Sequence, residues 1–201
     1  MNIVRLPTFL LLSICLYDLV VADLHAADSA KPKGPGKTKT IKIADITLTV
    51  PATWKQTPVS SKLRKAQFRI PPVKGDREAP ELVVYYFGGG GGSLESNLRR
   101  WIGEFRSRGR KMKITTGKST QGDYAVVDLQ GTYLGPSFKR RKTPLKNARM
   151  LSVMLFVKKK GYYYLKVSGP EKTIASIAES LRTAFGGNSK MEKKFQPEPP
   201  G

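Results

Sequence analysis

Glu81–Arg108 reads ELVVYYFGGGGGSLESNLRRWIGEFRSR. Leu82–Phe87 is a run of six apolar residues rich in β-branched and aromatic types, which predicts a strand covered on both faces of a sheet. Five glycines follow, and their freedom to take positive φ suits a strand-to-helix turn. Ser93 then stands as N-cap with Glu95 in the first turn, where an acid complements the helix dipole. Leu94, Leu98, Trp101, Ile102 and Phe105 recur at the spacing of one helical face. The helix is expected to run on through the arginines to Arg108.

Working towards the N-terminus, Ile41 and Ile43 alternate with Lys42, and Ile46, Leu48 and Val50 with Thr47 and Thr49. The parity changes at Ala44-Asp45, which fits a tight hairpin or a bulge. Pro51 ends that pairing, and Trp54 is large enough to close the end of the sheet. Ala66, Phe68 and Ile70 form a short strand stopped by Pro71-Pro72. Working towards the C-terminus, Met112–Thr116, Tyr124–Tyr133, Met150–Val157 and Tyr162–Val167 read as strands, the last two joined by Lys158-Lys159-Lys160-Gly161. Gly135–Ala148 shows no periodicity. Pro170 and Glu171 open a second helix, with Ile174, Ile177, Ala178, Leu181 and Phe185 facing the core and Gly186-Gly187 ending it. The expectation is an α+β domain, residues 41–186: a mainly antiparallel sheet of six to seven strands with two helices packed on it.

The ends read differently. Arg5, an apolar segment and the small residues Ala26-Ala27 have the layout of a secretory signal peptide over residues 1–26. Asp18 interrupts that segment, and an uncleaved N-terminal anchor is the alternative. Export to the periplasm or the extracellular medium is expected. Residues 27–40 are Lys-, Gly- and Pro-rich and read as a flexible basic linker; residues 187–201 read as a disordered tail. Cleavage would remove the one cysteine, Cys15, and the one histidine, His25. Thiolate nucleophiles, disulfides, Cys/His zinc sites and histidine-dependent triads are then excluded. No cofactor or metal is expected. The 201-residue chain carries 36 Lys and Arg against 15 Asp and Glu, a net charge of +21. Charge of that size bears on partners, not on fold.

Two basic runs stand out. Arg99, Arg100, Arg106 and Arg108 lie off the apolar stripe of the first helix, with Arg110, Lys111 and Lys113 beyond it. Lys139, Arg140, Arg141, Lys142, Lys146 and Arg149 form a second run free of acids. The planar fork of arginine suits phosphate, sulfate or carboxylate. Phe138 and Tyr162-Tyr163-Tyr164 offer stacking surfaces of the kind single-strand binders use, although alternate tyrosines also serve sheet packing. The glycines at 88–92 read either as an anion cradle or as a plain loop. Gly117-Lys118-Ser119 looks like the tail of a P-loop, but Met112 stands where its first glycine belongs. Asp76 and Glu78 read as a solvated turn. Asp128 either faces outward beside a Lys or Arg or is buried with a partner. No carboxylate pair is spaced for acid–base work, so a non-enzyme is expected, with a carboxylate hydrolase left open.

VPATWKQTPVSSKLRKAQFRIPP at 50–72, ELVVYYFGGGGGS at 81–93, GTYLG at 131–135 and GPEKT at 169–173 resemble a group of exported, uncharacterised bacterial proteins. That group is similar in layout to the PsbP-like α/β/α sandwich, and the resemblance implies a non-enzymatic accessory or binding role. Two readings of function stay open. One is a binding module whose basic surface holds an anionic polymer (acidic polysaccharide or nucleic acid) or an anionic membrane surface. The other is an accessory protein docking onto another envelope protein, with the charge as background.

Overall fold

The computed structural model describes residues 36–88 and 90–195. The expected leader, and the linker as far as residue 35, lie outside the described residues. The chain forms ten strands and two α-helices among those residues. Strands β1 (Thr38–Ile43) and β2 (Ile46–Pro51) make a separate antiparallel hairpin. Its turn is tight enough to hold Ala44 at φ 51°. The remaining strands are β3 (Lys55–Gln56), β4 (Arg64–Arg69), β5 (Glu81–Tyr86), β6 (Lys111–Lys118), β7 (Asp123–Tyr133), β8 (Leu145–Val157), β9 (Gly161–Pro170) and β10 (Lys193–Lys194). They form one antiparallel sheet in the order β10-β6-β7-β8-β9-β5-β4-β3.

Helix α1 (Leu94–Ile102) covers one face and α2 (Glu171–Ala184) the other, the latter beside the β1–β2 hairpin. This is the expected α+β sandwich. Under α2, Leu48 and Val50 of the hairpin, Phe68, Leu151, Val153, Leu165, Ile174, Leu181 and Trp54 are all but sealed from solvent. Under α1 lie Leu98, Trp101, Val127, Leu129, Met150, Met154 and Tyr164. Both faces of β5 and β8 are therefore filled, which is why their sequences run apolar without alternation.

Several boundaries differ from the sequence reading. Helix α1 stops at Ile102 rather than Arg108, with Gly103 as its cap. Phe105 leaves the helical path to bridge Tyr133, and Arg106 N donates to Thr132 O at 2.9 Å. Backbone pairing to another strand thus wins over a helical spacing that Phe105 also satisfies. The main sheet has eight strands rather than six to seven because β3 and β10 have two residues each, too few to show a period, and β1 and β2 form a second sheet of their own. Strand β8 starts at Leu145, inside the expected loop; the exposed Lys146-Asn147, with Asn147 at φ 49°, hides the alternation. The domain begins at Thr38, where Thr38, Lys39 and Thr40 pair with Pro51, Val50 and Thr49.

Of the expected disordered tail, residues 187–195 take up regular structure and pairing, and residues 196–201 lie outside the described residues. Residues Ser189–Met191 form a 3-10 turn, and β10 pairs with Thr115 and Thr116 of β6. Glu192 takes Arg182 Nε at 2.6 Å and Nη2 at 3.2 Å, and accepts from Thr115 Oγ1 at 2.5 Å. Asp76 is not a solvated turn residue either. Its Oδ2 accepts from Thr173 N at 3.0 Å and Thr173 Oγ1 at 2.6 Å, so a residue 97 positions away caps α2. Pro170, expected as the first helical residue, sits at the N-cap and has no side chain to do this.

Candidate anion-binding surface

The start of α1 is closed to ligands by its own neighbours. Ser93 Oγ accepts from Ser96 N at 3.2 Å, and Asn97 Nδ2 donates to Gly91 O and Ser93 O, both at 2.9 Å. Gly91 presses on Tyr164 so closely that a Cβ would lie 2.2 Å from the tyrosine oxygen. Gly92 likewise meets Ser96, while Gly88 and Gly90 stand in open surroundings, so among the described glycines the end of the run nearest the helix is packed rather than shaped as an anion cradle.

The other end of α1 is where the basic runs meet. Arg110 Nη1 donates to Ile102 O at 3.1 Å, capping the helix's last carbonyls. Leu134 N donates to Glu104 O at 2.7 Å. Arg140 then bridges the gap, its Nη1 donating to Gly103 O at 3.0 Å and to Gly135 O at 2.9 Å. Loop 134–142 is thereby pinned against the end of α1, although more than thirty residues separate Arg99 from it in sequence. Exposed Arg99, Arg106, Arg108, Lys139 and Lys142 share this end of the molecule, and none makes an ion pair among the described residues.

The rest of the expected anion-binding set is committed elsewhere. Arg100 is exposed but donates to Asn97 Oδ1. Arg141 pairs with Glu78 at 2.7 Å. Arg149 clasps Asp128 with two bonds, Nε to Oδ1 at 2.9 Å and Nη2 to Oδ2 at 2.6 Å. That carboxylate hydrogen bond, outweighing burial, raises the guanidinium's pKa further. Asp128 is thus the partnered acid that one sequence reading anticipated. Lys146 lines a separate cleft with Asp76, Glu78 and Glu171, where the charges are mixed. Lys111 and Lys113 alternate with the buried Ile114 and so point to the α2 side of β6.

Beneath the basic end lies an ion pair that sequence reasoning missed. Glu104, 2% exposed, receives hydrogen bonds from Lys166 Nζ and from Tyr133 Oη, the latter at 3.1 Å. Burial pulls the Lys166 ammonium below the usual lysine range and pushes the Tyr133 phenol above the usual tyrosine range. Ser152 pairs with Lys166 across β8 and β9, and its Oγ is sealed with no partner among the described residues. A serine and a lysine with a lowered pKa resemble an activated nucleophile, but Ser152 is fully buried, so no substrate reaches it in this conformation. Lys166 inside the apolar run YYYLKVSG was the available signal.

A groove of about 770 Å³ opens on the α1 face at the far ends of β6–β9. Met154, Phe156, Tyr162, Leu94 and Met191 line it, with Lys118 and Lys193 also on its wall. Rings continue from it across the sheet: Phe156–Tyr162 at 5.2 Å, Tyr162–Tyr164 at 6.4 Å, Tyr164–Phe87 at 5.6 Å and Phe87–Tyr85 at 6.0 Å. Tyr162 and Tyr164 are therefore sheet packing along a line whose most exposed rings are Phe156 and Phe87, while Tyr163 stacks on Tyr86 on the other face.

No protein-family model matches the chain, and no curated protein matches it. Among solved structures the chain is similar to the solution structure of cyanobacterial PsbP from Synechocystis sp. PCC 6803. Sequence identity is 12%, the TM-score is 0.46, and the match covers 84% of this chain and 99% of that one. At that identity and score it brings no activity or partner with it. No helix among the described residues is long and apolar enough to cross a membrane.

Proposed function

We propose that this protein is a non-catalytic, exported binding module that holds an extended anionic partner on the basic end formed by α1 and loop 134–142. One observation carries the proposal: the double hydrogen bond from Arg140 to Gly103 O and Gly135 O, which joins two separate basic runs into one surface. Arg99, Arg106, Arg108, Lys139 and Lys142 add up there with no acid to cancel them. Unpaired cations on a fixed frame attract a polyanion through counterion release, with affinity that falls as salt rises. Export rests on the leader-like residues 1–26.

The test is a titration against heparin and a DNA duplex over a range of salt. Wild type is compared with Arg99, Arg106, Lys139 and Lys142 all changed to Ala, and with a charge-matched control carrying Lys42, Lys62, Lys65 and Lys172 changed to Ala. The first variant is expected to lower the log–log salt slope by up to about four, roughly one for each phosphate that is no longer neutralised. The control keeps most of the slope. Equal losses in both variants would mean that net charge, not this surface, does the binding. Equally feeble binding by all three would favour the rival reading, docking onto another envelope protein, for which the aromatic groove with exposed Phe156 and Met191 is the available surface.

A further inference from the structure

Phe138 is 86% exposed, the most exposed large apolar side chain among the described residues. A single exposed apolar residue needs no explanation. This one is unusual in its mounting and its neighbours. It sits in the 3-10 turn Ser137–Lys139, closed by Lys139 N donating to Pro136 O at 2.9 Å. The base of the loop is tied by Arg141 N donating to Leu134 O at 2.8 Å and by the two Arg140 bonds. Gly135 holds φ 84°, and a Cβ there would sit 2.9 Å from Lys139 O. The ring is thus presented on a pinned turn. Lys139, Arg140 and Lys142 flank it, and Arg99 and Arg106 stand across the joint. The nearest acid on the neighbouring loop, Glu78, is already taken by Arg141.

We propose that loop 134–142 docks on an anionic lipid bilayer, with Phe138 entering the boundary between headgroups and acyl chains and the surrounding cations resting on lipid phosphates. This rests on the proposed function and names the partner of that surface. A soluble polyanion satisfies the cations but leaves the ring in water. A bilayer satisfies both, because its charged layer lies directly above an apolar one. The long stems of Lys139 and Lys142 let their ammonium groups stay at headgroup level while the ring goes deeper.

The experiment is sedimentation with vesicles of mixed phosphatidylglycerol and phosphatidylcholine, with phosphatidylcholine alone as the neutral control and heparin titrated in parallel. Wild type is expected to bind the anionic vesicles and not the neutral ones. Phe138→Ala should weaken vesicle binding roughly ten- to hundredfold, the loss expected for one phenyl ring left in water, while heparin affinity stays unchanged. Each of Lys139→Ala and Lys142→Ala should weaken it about fivefold. Phe138→Trp should bind like wild type and shift its emission to the blue on anionic vesicles. The background is quiet, since Trp54 and Trp101 are 2% and 4% exposed.

The outcomes separate cleanly. Heparin binding without vesicle binding overturns the membrane proposal and leaves the basic-surface reading standing. Binding to neither overturns both. Equal vesicle binding by wild type and Phe138→Ala, or an unshifted emission in Phe138→Trp, overturns the insertion of the ring. If Phe138→Ala loses heparin affinity by the same factor, the ring stacks on the polymer and the bilayer assignment falls.

Discussion

The two faces of the eight-stranded sheet are built on different principles. Under α2 and the hairpin, β5, β8 and β9 present Leu82, Val84, Leu151, Val153, Leu165 and Val167 to a wall of Ile, Leu and Phe, and the largely buried Arg182–Glu192 pair lies outside that wall, where α2 meets the C-terminal segment. Under α1 the same strands carry Lys166, Ser152 and a line of aromatic rings, and the covering helix is followed directly by the buried Glu104. A nine-residue helix cannot cover a sheet face that a fourteen-residue helix and a hairpin together cover on the other side. The space left over becomes the groove at one end and the pinned basic loop at the other. The α2 face holds the fold together, and the α1 face is where surface remains to be used.

Breaking the buried pair tests that contrast most severely. Glu104→Ala leaves Lys166 buried without its partner and removes the acceptor of Tyr133, so a loss of about 3–5 kcal/mol in urea unfolding is expected. A loss below about 1 kcal/mol would mean that the α1 face is wet and loosely held.

A second and smaller effect is alkaline. Tyr133 has its folded pKa raised, first by burial and then by the Glu104 charge. Its contribution is fully present below the unfolded value of about 10 and is lost as pH rises through the folded value. Lys166 is lowered, so between its folded value and about 10.4 the unfolded chain binds a proton that the folded one does not, and stability there rises with pH. Tyr133→Phe should remove the falling contribution and keep the rising one. Its urea midpoint should therefore drop less than wild type's between about pH 9 and 11. An identical drop would place the alkaline loss on other phenols that burial raises, Tyr85 and Tyr164 on the α1 face or Tyr163 on the α2 face.

The smallest effect concerns Ser152. Its hydroxyl is buried and unpartnered, so Ser152→Ala should be neutral or stabilise by up to about 1 kcal/mol. Destabilisation by that amount would show that the hydroxyl makes a bond after all, with Lys166 across the strand as the first candidate.

The uneven legibility of the chain follows from the same contrast. Strand β7, the start of α1 and the whole of α2 were visible because burial imposes a period on neighbouring residues, and β5, β9 and β8 from Met150 onward because burial on both faces makes a short continuous apolar run. The end of α1 was not, because Phe105 satisfies a helical spacing yet pairs its backbone with Tyr133. Strand β10 was invisible because two lysines have no period, and its order comes from Glu192 reaching Arg182. The basic candidates divided in the same way. Arg141 and Arg149 looked as free as Lys139 and Lys142, but their partners lie 63 and 21 residues away.

By itself the sequence determined the secondary structure wherever burial is periodic, the sign and size of the charge, and a cysteine and a histidine placed only in the leader-like segment. These are properties of residue type and of local spacing. Only the tertiary structure decided which cations pair, which acid caps α2, and that Arg140 binds one basic run to the other. Pairing depends on strand register and loop closure, which bring residues from distant positions within hydrogen-bond reach, and no local pattern carries that distance.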